Sequence, residues 1–115
     1  MKELEKKVSI ISQAIDDKGG FDIESIDVSE MTTIAEHFVI ASGNSSTQVQ
    51  AIADEVESKM FLAGFDKINN KEGYRSARWI LIDFGDIIAH IFHKDERDFY
   101  NLERLWTIER KNEGD

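Results

Sequence analysis

Two apolar runs, residues 78–84 (RWILIDF) and 87–93 (IIAHIFH), are separated only by Gly85-Asp86. Runs of this length rich in Ile, Phe and Trp read as strands, and a glycine opening a two-residue loop suits a tight hairpin turn. With those two residues as the loop, the pairing is set. Trp79 faces Phe92, Leu81 faces His90 and Asp83 faces Ile88 on one side of the hairpin. Ile80, Ile82, Ala89 and Ile91 share the other side, which is purely aliphatic and is expected to lie under helices. The first side mixes an aromatic pair with a His and an Asp, an unusual set for a core.

The rest of the chain supplies those helices and further strands. Residues 2–18 carry Leu4, Val8, Ile11 and Ile15 on one helical stripe, closed by Lys18, Gly19 and Gly20. Phe21, Ile23, Ile26 and Val28 alternate with polar residues as a half-exposed strand, irregular at Glu24-Ser25. Residues 37–42 (HFVIAS) form a short apolar run expected of a buried strand. After Gly43-Asn44, Ser45 followed by Gln48 matches a capping box, and Val49, Ile52, Ala53, Val56, Met60 and Ala63 follow at helical spacing up to Gly64. Residues 65–70 are a candidate strand. Asp95 is placed to cap a last helix whose apolar side is Phe99, Leu102, Leu105 and Trp106. The expected architecture is a single α/β domain over residues 1–108, a mixed β-sheet flanked by helices, with a polar tail at 109–115.

Composition narrows the function classes. With no Cys among 115 residues, disulfide scaffolds, thiolate metal sites and cysteine nucleophiles are excluded. The net charge of −9 argues against direct nucleic-acid recognition, which calls for a basic footprint. Residues 21–72 hold −7 of that charge, whereas residues 73–93 are neutral. No run is long enough to span a membrane, and the opening MKELEKKVS lacks a signal peptide's apolar core, so a cytoplasmic protein is expected.

Candidate chemistry is thin. His90 and His93 point to opposite faces of one strand and cannot chelate the same ion, so no metal is expected. Gly43-Asn44-Ser45-Ser46 ahead of a capped helix is an anion-binding turn in outline, but lacks the Lys-Ser/Thr of a phosphate loop. Asp83 and Asp86 flank a turn, where carboxylates commonly serve turn geometry. No catalytic constellation and no cofactor site emerges, and an enzyme is not expected. What stands out is aromatic and polar: Tyr74, Arg75, Trp79, Asp83, His90 and Phe92, then Phe99, Tyr100 and Trp106. Such residues make interface hot spots, or equally a second small core under the C-terminal segment.

The runs HFVIASGNSSTQVQAIADEVE (37–57), EGYRSARWILIDFGDIIAHIFH (72–93) and ERDFYNLERLW (96–106) closely resemble the ribosomal silencing factor family, RsfS, also called Iojap-like. The likeness runs from about Asp22 to Trp106. It implies a nucleotidyltransferase-like fold without the catalytic carboxylates. It also implies docking on the large ribosomal subunit through ribosomal protein fourteen, which blocks small-subunit joining and silences translation when nutrients are short. Self-association into a homodimer is implied as well. The partner-binding residues carried over are Tyr74 and Arg75 in the family's G-Y-R step, Trp79 in R-W, and Asp83, Gly85 and Asp86 in its D-[YF]-G-D turn. His90, Ile91 and Phe92 fill H-I-F. This chain departs from the family in Phe84 where Tyr is frequent, Glu36-His37 for Asp-Tyr, and Glu24-Ser25 for aliphatic residues. A nucleotide-binding or nucleotidyltransferase-like enzyme is the alternative, resting on the implied fold and the Gly43–Ser46 turn.

Overall fold

A computed structural model describes residues 2–97 of the chain. In chain order the elements are α1 (Glu3–Asp17), β1 (Phe21–Asp27), β2 (His37–Gly43), α2 (Ser46–Leu62), β3 (Asn70–Glu72), β4 (Trp79–Asp83), β5 (Ile87–His93) and α3 (Lys94–Arg97). The strands form one five-stranded sheet in the order β1-β2-β5-β4-β3. β2 and β5 run parallel, and the other pairs are antiparallel. The sheet is therefore mixed, as the alternation of strands and helices leads one to expect.

The hairpin carries the expected register: Trp79 opposite Phe92, Leu81 opposite His90 and Asp83 opposite Ile88. Its aliphatic side does lie under the helices. Ile80, Ile82, Ala89 and Ile91 join Val39 and Ala41 of β2, Ile11, Ala14 and Ile15 of α1, and Val49, Ile52, Val56 and Met60 of α2 in one buried core. Each fully buried Ile contributes on the order of 1.5–3 kcal/mol by leaving water, which makes this layer the main source of stability. The opposite face holds a second, smaller core: Phe38, Ile40, Ile88 and Phe92, closed by Val28 and Ala35 from the segment between β1 and β2. On the aromatic face a small core is present under the β1–β2 segment, with Trp79 and Leu81 half-buried at its border; the C-terminal segment expected over it lies outside the described residues.

Local chemistry explains the element ends. α1 stops where the Gly20 amide bonds the Ile15 carbonyl at 2.9 Å, with Gly19 at φ +76°. At the start of α2 the Ser45 hydroxyl accepts from the Gln48 amide at 3.1 Å. The reciprocal half differs from a capping box: Gln48 Oε1 accepts from the Asn44 amide rather than from Ser45. Gln48 Nε2 donates to the Lys18 and Gly19 carbonyls at 3.1 and 3.2 Å, tying the end of α1 to the start of α2.

Four expectations need correction. The strand placed at 65–70 is β3 at Asn70–Glu72, because the Phe65 amide still bonds the Met60 carbonyl as part of the α2 exit. Val28 lies just past β1, buried, with its amide on the Glu36 carbonyl at 3.0 Å. Ala63 caps α2 in an exposed position instead of joining the core. Asp95 sits inside α3, and its amide is taken by His93 Nδ1 at 3.2 Å, so the histidine and not the carboxylate meets that end. The irregularity at Glu24-Ser25 does appear, as a register shift between Phe21 and Glu24. Phe99, Tyr100, Leu102, Leu105, Trp106 and the tail lie outside the described residues.

Candidate partner-binding surface

The site grows from the register of β4 and β5. Odd-numbered residues of β4 and even-numbered residues of β5 point away from α1 and α2, which stacks Trp79 on Phe92 with ring centroids 4.9 Å apart and planes 24° from parallel. The Trp79 indole Nε1–H donates to His90 Nδ1 at 3.1 Å. His90 in turn meets the Phe38 ring edge-on at 4.5 Å. Phe92 is fully buried and His90 is 3% exposed, so Trp79, Leu81 and Asp83 are the members of this face that reach solvent. Burial in this apolar slot pushes the His90 imidazole down to about 4, since it penalises the charged form. His90 is thus a neutral ring with Nδ1 accepting, its proton on Nε2, and that Nε2 has no hydrogen-bond partner among the described residues.

The turn at the end of the hairpin is held from three directions. Asp83 Oδ1 accepts from the Gly85 amide at 2.8 Å, and the Phe84 amide bonds the Ile87 carbonyl at 2.9 Å. Gly85 adopts φ +100°, a conformation that a side chain would strain. The Asp86 carbonyl accepts from the Glu36 and His37 amides at 2.8 and 3.1 Å, and its carboxylate pairs with Lys7 of α1 at 3.0 Å. Both aspartates therefore perform turn chemistry. Gly85 and Asp86 also line a groove of about 410 Å³ with Ser29, Thr32, Thr33 and Ile34.

Tyr74 and Arg75 lie elsewhere. Tyr74 packs on the helix-side core, opposite to Trp79. Its hydroxyl donates to Asp54 at 3.1 Å, and Lys71 sits 4.3 Å over its ring. The hydrogen bond to the Asp54 carboxylate holds the Tyr74 phenol above its ordinary value, with a smaller contribution from desolvation. Arg75 is exposed in the loop between β3 and β4. Of the expected surface, then, the structure gathers Trp79, Asp83, His90 and Phe92 on one face with Gly85 and Asp86 at its end. It sets Tyr74 behind the sheet. Sequence reasoning missed Lys7, whose partner is 79 residues away.

At the Gly43–Ser46 turn the Asn44 amide is engaged by Gln48 Oε1, and the Ser45 hydroxyl accepts from the Gln48 amide. Among the described residues, no three His, Cys, Asp or Glu side chains cluster as a metal site. No helix among them is long and apolar enough to cross a membrane.

A small mixed sheet with helices on one face is an architecture found in solved structures. A crystal structure of a Chromobacterium violaceum protein superposes with a TM-score of 0.87 at 34% identity, covering 92% of this chain and 88% of that one. The model of the family described as "Ribosomal silencing factor during starvation" matches residues 1–115. This chain belongs to the ribosomal silencing factor family. Similar relatives are the ribosomal silencing factor RsfS of Bacillus subtilis, 44% identical over 86% of this chain and 83% of that protein, and that of Halalkalibacterium halodurans, 47% identical over 81% and 79%.

Proposed function

We propose that this chain is a cytoplasmic ribosomal silencing factor that docks on ribosomal protein fourteen of the large subunit and sterically blocks joining of the small subunit. The observation that carries the reading is the family match over residues 1–115. The geometry supports it. A preformed, half-exposed indole on a rigid two-core sheet is the kind of anchor that dominates interface energetics. The contacts come from Trp79, Leu81, Asp83 and the turn, while buried His90 and Phe92 act from beneath. A standard interface of about 800 Å² per partner is within reach of one sheet face and a turn. No bond is made or broken; occupancy of a surface the small subunit needs is sufficient.

Co-sedimentation of the purified chain with separated large subunits tests the docking. Wild type is expected in the large-subunit fraction. Trp79→Ala is expected to bind weaker by about 2 kcal/mol, roughly thirtyfold. A folded Trp79→Ala protein that binds like wild type removes this face from the interface. Light scattering of the free chain reads the self-association that the family resemblance implies.

A further inference from the structure

His90 is buried, neutral and unable to touch a partner directly, yet its placement is specific. Its Nδ1 is the acceptor for the Trp79 indole N–H at 3.1 Å, across the hairpin register that sets Leu81 opposite His90. The Trp79 ring meanwhile lies on Phe92 at 4.9 Å. One hydrogen bond in the ring plane and one stack on the ring face remove both rotational freedoms of the indole. His90 itself is wedged edge-on against Phe38 at 4.5 Å, so its ring cannot turn to release Trp79. The remaining nitrogen, Nε2, is buried and has no hydrogen-bond partner among the described residues.

We infer that His90 is a positioning residue for docking: its Nδ1 pins the Trp79 indole in a single orientation, so that the interface meets a ring already ordered. This rests on the docking reading above, in which Trp79 is a contact residue. Pre-ordering a large side chain removes the entropy that binding would otherwise have to overcome. It also means that the indole N–H is engaged inside the protein, and that the partner meets the Trp79 ring as apolar and π surface.

The test compares His90→Phe, which keeps an aromatic ring but removes the acceptor, with His90→Asn, whose Oδ1 can occupy the place of Nδ1. Binding to purified large subunits should weaken about tenfold in His90→Phe, the worth of one such hydrogen bond. It should return to within about threefold of wild type in His90→Asn. The second measurement needs no variant and no ribosome: hydrogen exchange of the Trp79 indole N–H in the free wild-type protein, read by nitrogen-edited NMR. It should be protected and slow. A folded His90→Phe protein binding as tightly as wild type overturns the inference, and so does an indole N–H exchanging at the rate of a free indole. Should His90→Phe fail to fold, the indole exchange decides. Wild type failing to bind large subunits while its indole stays protected counts against the docking reading, not against the pin.

Discussion

Acidification should unfold this protein in part through a single imidazole, and the size of that effect follows from the His90 environment. Burial takes the ring from an ordinary 6.5 down to about 4. Because the folded value lies below the unfolded one, the unfolded chain binds the proton first. Stability is therefore full above about 6.5, falls as the pH drops toward about 4, and loses no more from this group below that. The difference corresponds to about 3 kcal/mol at 1.36 kcal/mol for each tenfold change in proton affinity. Protonation would also turn Nδ1 from acceptor to donor, facing the Trp79 N–H at 3.1 Å. The assay is urea unfolding followed by circular dichroism at several pH values, for wild type and His90→Asn. Every other ionisable group is common to both proteins, so the difference between the two curves isolates His90. The wild-type curve should fall more steeply between about pH 6.5 and about pH 4, by an amount on the order of 3 kcal/mol. Parallel curves would refute the buried, neutral assignment of His90.

Two further outcomes probe the frame around the site. Gly73→Ala should cost roughly 2–4 kcal/mol in urea unfolding, because its Cβ would lie 2.0 Å from the Trp79 carbonyl at φ +83°. Gly64→Ala, at φ +89° with nothing within 4 Å, should cost only about 1 kcal/mol; equal losses would contradict the close packing at Gly73. Lys7→Met should lower stability by about 1–2 kcal/mol, since it strands the Asp86 carboxylate in a half-buried position. The amides of Glu36 and His37, which bond the Asp86 carbonyl, should exchange faster in that variant; unchanged exchange would mean the ion pair does not hold the turn.

How much was legible beforehand depended on whether the determining contact was local. The β4–β5 register followed from one short loop, since a two-residue turn leaves no slack in the pairing. The start of α2 was legible because Ser45 and Gln48 are within one turn of each other. β3 was not, because a three-residue edge strand is placed by its partner: Asn70 pairs with Asp83 and the run ends at Gly73 against Trp79. Tyr74 follows the same logic. Its side of the sheet is chosen by Asp54 and Gln50 of α2, about 20 residues earlier. Asp95 failed as a cap because the helix already starts at Lys94, and His93 Nδ1 accepts from the Asp95 amide within its first turn. At the surface, residue types alone pointed to Trp79, His90 and Phe92 together. Only burial separates the half-exposed indole from the two rings beneath it.

The charge pattern bears on the same surface. Among the acids of residues 21–72, Asp22, Glu24, Asp27 and Asp54 are exposed on β1 and α2, whereas Glu36 adjoins the hairpin turn and Glu72 pairs with β4. In the proposed docking, such charge would steer approach to a basic partner surface and be screened by salt, so it would act on the association rate. In that proposal, contact strength comes from the hairpin face.

The most direct measurement of the central proposal is subunit joining. Separated small and large ribosomal subunits are mixed at a magnesium concentration that supports association, with and without excess purified protein, and resolved by sucrose-gradient sedimentation. The proposal predicts that the protein leaves free subunits at the expense of joined ribosomes and travels with the large subunit, and that Trp79→Ala loses both effects together. Undiminished joining with saturating wild-type protein bound to the large subunit would contradict it.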